Sequence, residues 1–166
     1  MSDQTPQFTW GHININVSNL DQSIEFYEKL GFAMFMPAIP YLSLTAQPGT
    51  MTMPAASARA LGLPADTRGR ACIMQLNTGF PKIDLTEFAH QTRQAPLTNS
   101  DLGLVRLCLV SRNLQQDYAH LSKQGVKFLS TPQRSEGGLA DVATCVDPDG
   151  TLIELLQVYL DKWPSQ

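Results

Sequence analysis

One short stretch near the N-terminus places residues that can do chemistry at a spacing that points them the same way. From His12 to Val17, polar and apolar residues alternate strictly, which is typical of a half-buried strand. His12, Asn14 and Asn16 therefore share one strand face. An imidazole can bind a metal ion or transfer a proton. Because such a polar row is unusual for a core, we expect it to line a cavity.

A second candidate for chemistry is the carboxylate of Glu87. In the predicted strand 82–88, alternation places Glu87 on the same face as Ile83 and Leu85. A charge at the end of an apolar face is costly unless it is paired. We therefore expect Glu87 to have a partner of opposite charge or a hydrogen-bond donor.

The elements that carry these residues can be predicted in order. Turn and N-cap residues follow the first strand, and an apolar helical face then runs to Leu30 and stops at Gly31. A second strand covers 32–36 and ends at Pro37. Further strands are predicted at 70–77 and 82–88. The first part of the chain is therefore predicted to begin with a strand, a helix and a strand.

The second part of the chain repeats the first. The segment 106–114 can be laid under 12–20 without a gap, and a helix follows in both, at 115–124 in the second. Each half is predicted as β-α-β-β-β, and in the last strand Glu154 takes the place that Glu87 holds in the first half. Neither half can bury its sheet face alone, so the halves pack together or swap between chains.

The first half carries an insertion at 37–68, rich in Pro, Ala, Met and Thr. Two interpretations stay open: a lid or binding loop, or a segment that covers a sheet edge. Flexible and aromatic side chains around it suggest a pocket for a hydrophobic or aromatic molecule with an anionic or dioxygen end. They are Phe32, Met34, Phe35, Met36, Tyr41, Met51 and Met53.

Composition excludes several classes of protein. The chain has 166 residues, 43% hydrophobic and 16% charged, with a net charge of −3 and no basic run. It therefore fits one compact domain, or two small modules that share one core, with no nucleic-acid partner and no membrane partner. Residues 1–9 lack a signal-peptide pattern. Cys72, Cys108 and Cys145 each fall in a predicted strand, which favours reduced core thiols in a cytoplasmic protein.

Together these segments resemble the vicinal oxygen chelate superfamily of glyoxalases, bleomycin resistance proteins and extradiol dioxygenases. The resemblance covers about 9–158 and is carried by Gly11-His12, Phe26-Tyr27, Leu30-Gly31-Phe32, Asp147-Pro148-Asp149-Gly150 and Ile153-Glu154-Leu155. It implies an α+β fold: two βαβββ modules forming a curled mixed sheet, or half-barrel, with helices outside. One domain at 9–158 would comprise module one at 9–90 and module two at 102–158, with tails at 1–8 and 159–166.

The resemblance also implies a divalent metal (Mn, Fe, Co, Ni or Zn) held by the first and fourth strands of each module. Carried over, these positions are His12, Glu87, Arg106 and Glu154. Arginine has no lone pair for a cation. Either the other three residues hold the metal while Arg106 clamps a substrate anion, or Arg106 replaces the metal, pairs with one or both glutamates, and no cofactor is bound.

Two functions follow from the resemblance. One is a small-molecule isomerase, lyase or dioxygenase-like enzyme acting on a hydrophobic or aromatic oxygenated metabolite; the other is a metal-free ligand-sequestering protein. Glyoxalase activity is not expected, because of Arg106, and a homodimer is implied. The candidate catalytic residues are His12, Glu87, Arg106 and Glu154, and the candidate substrate-binding residues are Asn14, Asn16, Tyr41, Arg106 and Cys108.

Overall fold

A computed structural model describes residues 7–92 and 95–163. The first half contains β1 (His12–Asn16), α1 (Leu20–Lys29), β2 (Phe32–Met36), β3 (Ala38–Ile39), β4 (Leu44–Thr45), β5 (Met51–Thr52), α2 (Ala55–Ala60), β6 (Arg68–Leu76) and β7 (Lys82–Phe88). The second contains β8 (Arg106–Val110), α3 (Leu114–Lys123), β9 (Lys127–Phe128), β10 (Gln133–Arg134), β11 (Ala140–Val146) and β12 (Leu152–Val158). Short 3-10 turns lie at Pro40–Leu42, Glu136–Gly138 and Leu160–Lys162.

The chain divides into two compact units, and each is α+β with a mixed sheet, as predicted. The first comprises the chain up to Ile24 with Gly31–Gln91, and its strand order is β1-β7-β6-β2, with β5 also paired to β6. The second comprises Glu25–Leu30 with the chain from Thr92 onward, and its order is β10-β11-β12-β8, with β9 also paired to β11. None of the described helices has the length and apolar character needed to cross a membrane.

The two units repeat the same local design. In each, the first strand is parallel to the last, β1 to β7 and β8 to β12. Each long helix is capped by an asparagine: Asn19 Oδ1 accepts the N–H of Gln22 at 3.0 Å, and Asn113 Oδ1 accepts that of Gln116 at 3.1 Å. Such caps satisfy N–H groups that a helix start leaves unpaired. The predicted repeat of 12–20 at 106–114 is therefore confirmed.

The insertion folds onto the first sheet. A small buried core joins it to β6, formed by Ile39, Leu42, Leu44, Met53, Ala58 and Ala71. Ala71 stands opposite Thr86, and the partly buried Ile73 of the same cluster stands opposite Asp84. The insertion thus packs on the sheet face that carries Asp84, and β5 extends the ladder along β6. The insertion therefore covers part of a sheet face as well as an edge, and its role as a lid or binding loop stays a prediction.

Candidate functional site

The polar face of β1 meets a carboxylate from β7. In the parallel ladder His12 stands opposite Lys82 and Asn14 opposite Asp84, so these four side chains leave the sheet on one face. The His12 Nε2 atom lies 3.5 Å from Asp84 Oδ2. The polar face predicted for β1 therefore has an aspartate of β7 beside its imidazole.

Asp84 is the unusual member of this pair. Its side chain is only 2% exposed, whereas that of His12 is 41% exposed. The Asp84 Oδ1 atom is buried and has no hydrogen-bond partner among the described residues. Burial raises the pKa of Asp84, and the nearby His12 opposes that rise. A buried carboxylate with a perturbed pKa beside an accessible imidazole is a candidate for proton-transfer chemistry.

Replacing Asp84 by asparagine is expected to raise the melting temperature by a few degrees at pH 7. Burial raises the pKa of Asp84 in the folded protein above its ordinary value of 3.8. The wild-type protein therefore loses stability as the pH rises from the ordinary pKa through the higher pKa of the folded state. The variant lacks this charge, so the two melting temperatures should converge at about pH 3. Thermal unfolding followed by circular dichroism across this range checks the prediction. A difference that grows in acid would contradict it.

Three of the predicted substrate-binding residues lie in the first unit. Asn14 Oδ1 accepts the Thr86 hydroxyl at 2.9 Å, and Asn14 Nδ2 donates to Asn16 Oδ1 at 2.8 Å. Tyr41 comes from the insertion and is 55% exposed. Burial, and then the charge of Asp84, raise the pKa of Tyr41. A tyrosine hydroxyl is protonated at neutral pH even at its ordinary pKa, so Tyr41 can donate a hydrogen bond.

Glu87 has the partners that its sequence position predicted. Its Oε2 atom accepts the backbone N–H of Leu20 at 2.6 Å and lies 3.4 Å from Arg70 Nη1. Arg70 stands directly opposite Glu87 in the ladder of β6 and β7. Because side chains alternate along a strand, Glu87 points to the sheet face opposite that of Asp84. Glu87 thus holds the start of α1 and does not share a face with His12.

The second unit contains the true counterpart of Glu87. There Gln157 Oε1 accepts the backbone N–H of Leu114, the first residue of α3, at 2.8 Å. Glu87 and Gln157 therefore have the same structural role, since each accepts the N–H of the first residue of a helix. Each lies three residues beyond an acidic residue on its strand. The prediction that Glu87 and Glu154 are counterparts is wrong, because the two residues occupy different strand positions and opposite faces.

Asp84 is the first-unit counterpart of Glu154. Asp84 stands opposite the third residue of β1, and Glu154 stands opposite Cys108, the third residue of β8. Sequence reasoning missed Asp84, although a signal was present: Ile83-Asp84-Leu85 matches Ile153-Glu154-Leu155 in pattern. Glu87 lies three positions after Asp84, and an odd offset along a strand reverses the face.

In the second unit the equivalent sheet face carries an ion pair. Arg106 Nε donates to Glu154 Oε2, and Arg106 Nη1 donates to Asn99 Oδ1 at 3.1 Å. Cys108 lies beside them; burial and the Glu154 carboxylate raise the pKa of its thiol. The arrangement agrees with one of the two readings of Arg106, in which its guanidinium pairs with a glutamate. The guanidinium partner of Glu87 is Arg70 instead.

The donor set does not fit the divalent metal that the resemblance implies. At the first position of β8 stands a guanidinium, which offers no lone pair and adds a positive charge beside Glu154. Glu87 is occupied by Arg70 and the start of α1. Across 7–92 and 95–163, no three His, Cys, Asp or Glu side chains form a group that could hold a metal ion. Metal ligation by His12, Glu87 and Glu154 stays a prediction.

The cysteines fall into two kinds. Cys72 and Cys145 are buried, and desolvation raises the pKa of each thiol to about 12. Such thiols are inert core residues. Cys108 is exposed, so the prediction of a core thiol is wrong at this position. The reason is that β8 alternates, with Cys108 on the accessible face that also carries Arg106.

Each repeat has a strand, a helix and three further main strands, and its first strand is parallel to its last. This arrangement defines the class of fold as paired βαβββ modules. A family model matches residues 9–155. The chain belongs to the Glyoxalase/Bleomycin resistance protein/Dioxygenase superfamily. Among curated proteins, none matches this sequence.

Solved structures share this fold at low sequence identity. A glyoxalase family protein from Bacillus cereus is 18% identical, with a TM-score of 0.72 over 95% of this chain and 98% of its own. The trypanothione-dependent glyoxalase I of Leishmania major is 21% identical, with a TM-score of 0.57 over 91% and 87%. Glyoxalase I from Zea mays is 18% identical, with a TM-score of 0.58 over 88% of this chain and 43% of its own.

Proposed function

We propose that this protein is a metal-independent enzyme that moves a proton at a carbon atom of a small oxygenated molecule, as isomerases and lyases do. The observation that carries the proposal is the pair formed by accessible His12 and buried Asp84, 3.5 Å apart on one strand face. A carboxylate beside an accessible imidazole favours catalysis over passive binding. The small-molecule partner, the homodimer and the cytoplasmic location remain predictions.

In this mechanism His12 is the base and Asp84 positions it. With Nε2–H directed to Asp84 Oδ2, the Nδ1 atom presents a lone pair that can accept a proton from carbon. The carboxylate stabilises the imidazolium that forms. A separation of 3.5 Å is longer than a good hydrogen bond, and such contacts commonly shorten when substrate binds.

The electrons left by the proton need a stabilising group. When His12 takes the proton, the bonding pair moves toward an adjacent carbonyl, whose oxygen gains negative charge. The Tyr41 hydroxyl, which like any tyrosine is protonated at neutral pH, would donate a hydrogen bond to that oxygen. Return of the proton to a second carbon gives isomerisation, and loss of a leaving group from the next carbon gives a lyase reaction.

The metal-independent part of this proposal predicts low metal content. Protein purified without chelators should hold far less than one equivalent of Mn, Fe, Co, Ni or Zn. The Arg106→His variant, which puts a lone-pair donor beside Glu154, should hold about tenfold more, since changes around metal ligands alter affinity by roughly 10–100-fold. Elemental mass spectrometry makes the measurement. Arg106→Gln is the control, because it removes the charge without supplying an imidazole.

Near-stoichiometric metal in the wild-type protein would contradict this part of the proposal. The catalytic part is tested separately, in D₂O containing a chelator, with 2-oxobutyrate and 2-oxo-4-phenylbutyrate as carbon acids. Proton NMR should record enzyme-dependent loss of the C3 proton signal. No exchange above the buffer rate with both probes would overturn the catalytic proposal.

A second candidate function is ligand sequestration without catalysis, which the hydrogen-bonded ion pair between Arg106 and Glu154 favours. The guanidinium is fixed through Nε by Glu154 and through Nη1 by Asn99, which leaves Nη2 as an oriented donor for an anion. On this reading Arg106 clamps the anionic end of a ligand and Cys108 lies at its edge. Saturable binding of either 2-oxo acid with no deuterium exchange would favour this function.

A further inference from the structure

A lysine on the same sheet face as the His12 and Asp84 pair has no role in the mechanism above. Lys82 stands directly opposite His12 in the parallel ladder and two residues before Asp84 on β7. Neighbouring strands lie about 4.8 Å apart, and alternate residues along a strand lie about 7 Å apart. Lys82 is therefore adjacent to both members of the pair.

The ammonium group of Lys82 is held between two aromatic rings. Its Nζ atom lies 3.8 Å from the centroid of Phe80 and 4.5 Å from that of Phe35. Such cation–π contacts fix the position of the charge without neutralising it. Both rings remain accessible, with Phe80 68% and Phe35 47% exposed. The group is thus a fixed positive charge flanked by apolar surface.

No carboxylate competes for this charge in the described part of the chain. The ion pairs there involve His12, Lys29, Arg70, Arg106 and Arg134, and none includes Lys82. Asp84 lies two residues away on the strand but is not within ion-pair distance of Lys82. A free, positioned ammonium beside a general base is suited to bind an anionic group of the substrate.

We propose that Lys82, with Phe35 and Phe80, binds the carboxylate of a small aromatic or aliphatic acid and is the residue that sets substrate specificity. This inference rests on the proposed function, since it names the substrate class for the same face. One ammonium supplies a single positive charge, which matches a carboxylate monoanion. Lys82 and the base His12 stand directly opposite each other on neighbouring strands, about 4.8 Å apart at the backbone, which suits an acid whose reactive carbon lies a short chain away from its carboxylate.

The test uses binding, so that it does not depend on catalysis. Isothermal titration calorimetry with 4-phenylbutyrate and its neutral analogue 4-phenylbutanamide compares the wild-type protein with Lys82→Gln. We expect the wild-type protein to prefer the carboxylate and Lys82→Gln to weaken its binding about tenfold, the scale of one lost charge-assisted contact. Affinity for the amide should not change. Lys29→Gln, which removes a lysine paired with Glu25, is the matched control.

Equal affinity of the wild-type protein for both ligands, no binding of 4-phenylbutyrate, or unchanged carboxylate binding in Lys82→Gln would each overturn the inference. The deuterium-exchange assay separates this failure from that of the proposed function. If Lys82→Gln loses carboxylate binding but no protein form exchanges deuterium, only the catalytic proposal falls. If exchange depends on Asp84 while Lys82→Gln binds carboxylate normally, only the role of Lys82 falls.

Discussion

The Asp84→Asn variant is expected to exchange the C3 protons of 2-oxo acids about 10²–10⁴-fold more slowly than the wild-type protein, the usual contribution of a positioned acid–base group. Asparagine keeps the shape of the side chain but cannot stabilise an imidazolium at His12. Proton NMR in D₂O measures the rate. His12→Gln should lose activity to a similar extent, and the double variant should lose little more, because residues that act as a unit are not additive.

The matched control for this result is Glu87→Gln. Glu87 is a carboxylate on the same strand as Asp84, three residues further on, but it points to the other face and accepts the N–H of Leu20. A glutamine already has this role in the second unit, where Gln157 accepts the N–H of Leu114. Exchange should therefore be unchanged in Glu87→Gln. Loss of exchange in this variant with retention in Asp84→Asn would reverse the assignment and make Glu87 the carboxylate on which activity depends.

The largest expected effect on stability comes from Arg70→Met. The Arg70 side chain is 10% exposed and donates to Asp21 at 2.9 and 3.1 Å and to the carbonyl groups of Ala46 and Gln47 at 2.7 and 3.0 Å, while pairing with Glu87. Its loss removes all of these hydrogen bonds and leaves the Glu87 carboxylate, which is only 21% exposed, without its cation. We expect the free energy of unfolding to fall by about 3 kcal/mol.

Thermal and urea unfolding measure this change, which corresponds to a fall in melting temperature of roughly 6–12 °C for a chain of this size. Arg68→Met is the matched control on the same strand, because Arg68 is exposed and, among the described residues, its side chain donates hydrogen bonds to Thr50 alone. It should change stability by less than about 1 kcal/mol. Equal losses in both variants would show that Arg70 does not join β6, α1 and the insertion.

The two repeats share the positions that hold the fold and differ at the positions that we propose do chemistry. Both units keep an asparagine cap and a side-chain oxygen on the first N–H of the helix, from Glu87 in one and Gln157 in the other. The paired positions on the opposite face differ. The first unit has His12 with Asp84, whereas the second has Arg106 with Glu154. The repeats therefore agree in local structure and diverge where a ligand would bind.

Some of the pocket residues predicted from composition belong to the core instead. Met53 is 2% exposed and Phe32 is 6% exposed, so neither is available to a ligand. Tyr41, Phe35 and Met51 are exposed, as a pocket wall requires. The insertion is apolar because it must build its own small core against β6. Its composition alone could not tell which of these side chains face inward.

The sequence by itself determined the α+β class, the repeat of 12–20 at 106–114, the strand His12–Asn16 with its polar face, and the need of Glu87 for a partner. These follow from alternation, helix periodicity and capping, which are local. Only the tertiary structure decided that Asp84, and not Glu87, joins His12. The phase between two parallel strands far apart in sequence is set by their hydrogen-bonded register, and a shift of one residue exchanges the faces.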